Sequence, residues 1–89
     1  MRARYRNIDR EQRTRELLQK IELYIKYSGY EDSSPGWLVE PFSELIELRG
    51  KNDEIVLSAL RMAMNSPYDH YGYCKNDVED VMKKYRIEL

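Results

Sequence analysis

Eighty-nine residues, 42% hydrophobic and 35% charged, suit one small globular domain and exclude a disordered chain. The one cysteine, Cys74, excludes an internal disulfide framework. The net charge of −1 hides an asymmetry. Six arginines (Arg2, Arg4, Arg6, Arg10, Arg13, Arg15) against Asp9 and Glu11 give the first fifteen residues +4, and nine basic against fourteen acidic side chains give the other 74 residues −5.

The first helix is marked by Asp9 as a cap, with Gln12 three residues later completing a capping-box pattern. Leu17, Leu18, Ile21, Tyr24 and Ile25 recur at helical spacing, and Glu11–Arg15, Glu16–Lys20 and Glu22–Lys26 are acid-before-base pairs at i,i+4. Gly29 is the natural residue to end this helix, and the turn-rich stretch 30–36 follows. Pro41 cannot sit deep in a helix without losing a hydrogen bond. Residues 35–40 therefore read as an irregular or 3₁₀ lead-in, and 41–49 as the second helix, ended by Gly50.

Asn52 or Asp53 caps a third helix, whose Ile55, Val56, Leu57, Ala59, Leu60, Met62, Ala63 and Met64 are apolar nearly all round. That pattern places it at the centre of a bundle, and Pro67 stops it. A tyrosine-rich loop, 66–75, leads to Asn76, which forms a capping box with Glu79; Val78, Val81, Met82 and Tyr85 mark the fourth helix. No strand-like alternation and no internal repeat is present. The expected fold is all-α, a compact bundle of four helices with the first longest and a basic N-terminal extension. It divides into an arginine-rich arm or helix overhang, 1–15, and a bundle body, 16–89.

No secretory signal is expected, because no apolar stretch follows the N-terminal charge. No window approaches the ~20 apolar residues of a membrane span, so no membrane partner is expected and the chain reads as cytoplasmic.

At 100° per residue Arg6, Arg10 and Arg13 continue the stripe that Leu17, Ile21 and Tyr24 form further along the first helix. An apolar seam thus becomes an arginine seam, which cannot pack on a core without burying guanidinium groups. It must overhang, meet acids or meet a ligand. Glu40, Glu44 and Glu47 form an acidic stripe on the second helix, opposite Phe42, Leu45 and Ile46. The two stripes suggest a homodimer through Arg6, Arg10 and Arg13 with Glu40, Glu44 and Glu47, more easily met between chains than within one. Arginine rather than lysine suits bidentate partners, carboxylate or phosphate.

Eight of the ten aromatics are tyrosine. Tyr68, Tyr71 and Tyr73 crowd one loop, while Tyr27, Tyr30 and Trp37 flank the first connection. Tyrosine gives contact area at low entropic cost and keeps a polar handle, which suits protein interfaces; beside arginines it can also stack bases. Asp69, His70, Cys74 and Asp77 are the only cluster with ligand chemistry. One His and one Cys fall short of a structural zinc set, and a His70–Cys74 nucleophile pair has no orienting residue or oxyanion loop in view. Neither metal nor cofactor is expected, and no enzymatic activity.

A helix-turn-helix around Gly50-Lys51-Asn52 is excluded by its would-be recognition helix, acidic in its first turn and apolar in its body. The last two helices are loosely similar in layout to the C-terminal domain of DnaD-type replication proteins. Tyr85 stands where that pattern has a tryptophan, and no family is assigned on it.

The reading is a small non-enzymatic protein-interaction module that regulates or inhibits a macromolecular partner, by analogy with accessory proteins of phages and mobile elements. Arg6, Arg10, Arg13, Tyr30, Tyr68, Tyr71 and Tyr73 are its partner-binding candidates. The alternative is a nucleic-acid-binding accessory protein that places Arg2, Arg4, Arg6, Arg10 and Arg13 on phosphates and stacks Tyr5.

Overall fold

The computed structural model describes residues 7–27 and 36–89, so Arg2, Arg4, Tyr5, Arg6, Gly29 and Tyr30 lie outside the described residues. Four helices run in the order α1 (Asn7–Tyr27), α2 (Val39–Arg49), α3 (Glu54–Met64) and α4 (Tyr73–Tyr85), with no strand among the described residues. The first is the longest at 21 residues. It begins before Asp9, which therefore sits in the first turn rather than capping it, where its charge still complements the helix dipole. Gln12 turns forward to Glu16 instead of back to Asp9.

α2 starts two residues earlier than Pro41 suggests. Pro41 occupies the first turn, where a missing N–H breaks no helical bond, and it is buried. The residue before the helix, Leu38, has no capping side chain. Its role is filled from α4: buried Asp77 accepts hydrogen bonds from the backbone N–H of Gly36 at 2.8 Å and of Leu38 at 3.1 Å. Burial pushes the Asp77 carboxyl up, the Leu38 and Gly36 donors pull it back, and Asp80 and Asp69 add to the rise.

Asp53 caps α3 by accepting from the backbone N–H of Ile55 and Val56. α4 starts at Tyr73, not after Asn76. Gly72, at φ +77°, turns the chain, and the Asp69 carboxylate accepts from the N–H groups of Cys74 and Lys75, so the cap comes from four residues before the helix. Asn76 donates its own N–H to the Gly72 carbonyl as an ordinary first-turn residue. The helix ends at Arg86 in the left-handed region, and the N–H of Ile87 folds back to the Met82 carbonyl, tucking Ile87 into the core.

One hydrophobic core joins Leu17, Ile21 and Ile25 of α1 to Phe42, Leu45 and Ile46 of α2, Val56, Ala59, Leu60 and Ala63 of α3, and Val78 and Val81 of α4. The packed helix pairs are α1 with α2, α3 with α4, and α2 with both α3 and α4. α2 is thus the central element. The apolar circumference of α3 suggested it for that place, but α3 buries only Val56, Ala59, Leu60 and Ala63, and Met62 is left 42% exposed.

Candidate interaction surfaces

The arginine seam is resolved by a small residue at its centre. Thr14 is the side chain that enters the core there, its hydroxyl donating to the Arg10 carbonyl at 2.8 Å. Arg10 and Arg13 flank it and carry their guanidinium groups to the edge of α2. Arg13 binds Glu44 through two parallel bonds, Nε to Oε2 at 2.6 Å and Nη2 to Oε1 at 2.7 Å, with Nη1 on Glu16 at 3.0 Å. Arg10 Nε donates to the Leu48 carbonyl at 3.3 Å. Arg13 and Glu44, expected to meet between chains, meet within one. The Glu44 contact holds the Arg13 guanidinium above its ordinary range and, in return, holds the Glu44 carboxyl below its own.

The seam continues to Arg49, whose Nη1 donates to the Thr14 hydroxyl and faces Glu11 at 3.6 Å while its Nε binds Asp53 at 3.0 Å. Burial pushes the Asp53 carboxyl up, but Arg49 and the N–H groups of Ile55 and Val56 outweigh it and leave the carboxyl below its usual value. On the far side, the Tyr85 hydroxyl donates to Glu47 at 3.0 Å. Glu44 and Glu47 thus have partners inside the chain, and Glu40 is exposed. Of the arginines among the described residues of the first helix, only Arg15 is an exposed side chain with no hydrogen bond or ion pair.

The tyrosine loop divides. Tyr68 and Tyr71 are each 49% exposed, whereas Tyr73 is half-buried in the first turn of α4. Tyr71 stacks on Tyr73, with ring centroids 5.4 Å apart and planes 29° apart, so an exposed ring rests on a fixed one. Trp37 is half-buried and packs against Tyr24 at 5.6 Å. His70 is exposed and Cys74 buried, and among the described residues no group of three or more His, Cys, Asp or Glu is arranged to hold a metal. A buried thiol in apolar surroundings is poorly reactive.

α1 and α3 approach each other less closely than the other packed pairs, and a groove opens between them. Its wider part, about 420 Å³, lies among Leu23, Lys26, Met62, Pro67 and Tyr68. It continues past Glu22 and Met62 to Leu18, Ile55 and Glu54. Leu23 is 50% exposed. Leu23 and Met62 are the surface residues that sequence reasoning missed. The signal for Leu23 was its position off the α1 core stripe; for Met62 none existed without knowing which side of α3 faces α2.

No protein-family model, curated protein or solved structure matches the chain. Among the described residues, no helix is long and apolar enough to cross a membrane.

Proposed function

We propose that this chain is a small, non-enzymatic protein-interaction module of the cytoplasm that regulates or inhibits a macromolecular partner. The observation that carries the reading is the set of exposed apolar and aromatic side chains, Leu23, Met62, Tyr68 and Tyr71, that stand out from a surface otherwise rich in charge. Tyr71 is the leading anchor. Held against Tyr73, its ring loses little freedom on binding, so most of its contact area counts toward affinity. Burial of Cys74 away from solvent supports the absence of a thiol-based reaction.

Arg10 and Arg13 serve α1–α2 packing in this reading, which leaves Arg15 and the basic extension of Arg2, Arg4 and Arg6 to steer a partner's approach. The same two contacts weigh against the nucleic-acid alternative, because a phosphate would have to compete with Glu44 for Arg13. That alternative retains Arg2, Arg4, Arg6 and Tyr5, and it predicts binding with steep salt dependence.

The experiment is affinity capture from the cells that encode the chain, with wild-type, Tyr71→Ala and Arg15→Ala baits compared quantitatively. A protein retained by wild type and Arg15→Ala but lost from Tyr71→Ala supports the reading. Equal retention by all three baits overturns the role given to Tyr71.

A further inference from the structure

We infer that the α1–α3 groove is a homodimer face, filled by α1 of a second copy crossing antiparallel at the level of residue 24. The inference rests on the protein-interaction reading and names the occupant of one of its surfaces, leaving the tyrosine loop to another partner.

Three observations favour a second copy. Leu23, half exposed beside the groove it lines, is the projection, and the hollow bounded by Leu23, Met62 and Pro67 is the receptor. A surface that carries both parts is self-complementary, as a two-fold interface requires. The charges match as well. Glu22 and Lys26 both line the groove, and among the described residues neither side chain forms a hydrogen bond or ion pair, although they are placed for an i,i+4 pair. In an antiparallel crossing at residue 24, Glu22 of each copy lies opposite Lys26 of the other, so the symmetry makes two ion pairs from the two unpaired charges that each copy brings. A parallel crossing would set like charges together.

The third observation is length. The groove follows α1 from Leu18 to Lys26 and α3 from Glu54 to Met62, in each case about 12 Å of helix. That span has room for about two turns of a crossing helix, more than the one turn that carries Glu22, Leu23 and Lys26. A chain of 89 residues leaves a large share of its apolar surface exposed when alone, and a second copy covers Leu23 and Met62 without new secondary structure.

Sedimentation equilibrium of the full chain, from about 1 to about 500 μM, tests this. The expected result is a concentration-dependent rise from 10.7 kDa toward twice that mass. Leu23→Asp, at an exposed position, is expected to weaken the dimer at least about tenfold while the helical circular dichroism is unchanged. Glu22→Lys alone sets lysines opposite one another and is expected to weaken it about three- to tenfold; Glu22→Lys with Lys26→Glu is expected to restore it. That rescue is specific to this crossing.

A chain that stays at 10.7 kDa throughout overturns the dimer. So does a dimer indifferent to Leu23→Asp, or one that the charge exchange fails to rescue. None of these results touches the reading of Tyr71, which the capture experiment tests separately.

Discussion

Replacing Asp77 tests how the bundle is tied together. Among the described residues its carboxylate is the only acceptor of the buried N–H of Leu38, and it also accepts from Gly36, so one side chain of α4 holds the start of α2. Asp77→Ala removes both bonds. Gly36 is exposed, and water can take over its N–H at little cost. Leu38 is 1% exposed, so its donor is left unsatisfied at a cost of about 1–3 kcal/mol. Relief from burying a carboxylate offsets part of this, because burial pushes the Asp77 carboxyl up. The net expectation is a loss of about 2 kcal/mol for Asp77→Ala and about 1 kcal/mol for Asp77→Asn, whose amide oxygen still serves Leu38.

Urea unfolding followed by circular dichroism measures this. With a slope of about 1–1.5 kcal/mol/M, the midpoint should fall by about 1.5 M for the alanine variant at unchanged slope. The pH dependence carries a sign. A raised folded-state pKa gives stability that is present below the unfolded value and lost as pH rises through the folded one. The cost of Asp77→Asn should therefore shrink as pH rises past the ordinary aspartate range. A loss under about 0.5 kcal/mol for Asp77→Ala, or a cost of Asp77→Asn that grows with pH, would refute the reasoning.

Other predictions concern the seam and the helix ends. A double-mutant cycle on Arg13→Ala and Glu44→Ala should give a coupling of about 0.5–1 kcal/mol, because side chains 34% and 39% exposed are screened by water despite good geometry; chemical denaturation of the four proteins checks it. Glu44 and Asp53, both held below the usual carboxylate range, contribute stability that is present above their unfolded values and lost as pH falls through their folded ones, so Glu44→Gln should flatten the acid limb of the stability–pH curve. Ser43 buries a hydroxyl with no hydrogen-bond partner, and Ser43→Ala should be neutral or stabilising in thermal unfolding. Arg86 is the one non-glycine residue at positive φ among those described, so Arg86→Gly should raise stability by up to about 1 kcal/mol, measured by urea midpoint.

Four helices were legible because their stops are local. Gly50, Asp53 and the break before Pro67 act close to where they stand: α2 ends at Gly50, α3 starts after Asp53 and stops shortly before Pro67. The start of α4 was misread because its cap is not adjacent: Asp69 reaches Cys74 and Lys75 across a left-handed Gly72, while Asn76 and Glu79 only imitate a capping box. The start of α2 was misread for the same reason at longer range, since its acceptor, Asp77, lies 39 residues beyond Leu38.

The surface was less legible than the fold. Helical wheels placed Arg13 and Glu44 correctly around each helix, but a wheel has no side-chain length. A guanidinium on a long stem rounds the edge of the α1–α2 seam and meets an acid that the wheel turns toward solvent. The exposure of Leu23 and Met62 depends on which helices meet only weakly, a fact about topology that no single segment carries.

The most direct test of the central claim places a photo-crosslinking amino acid at Tyr71 in the cell that makes the protein, with the same group at exposed Glu79 as a control. The account predicts a discrete protein adduct from position 71 that position 79 does not give. Adducts to nucleic acid alone, or none above the control, would contradict it.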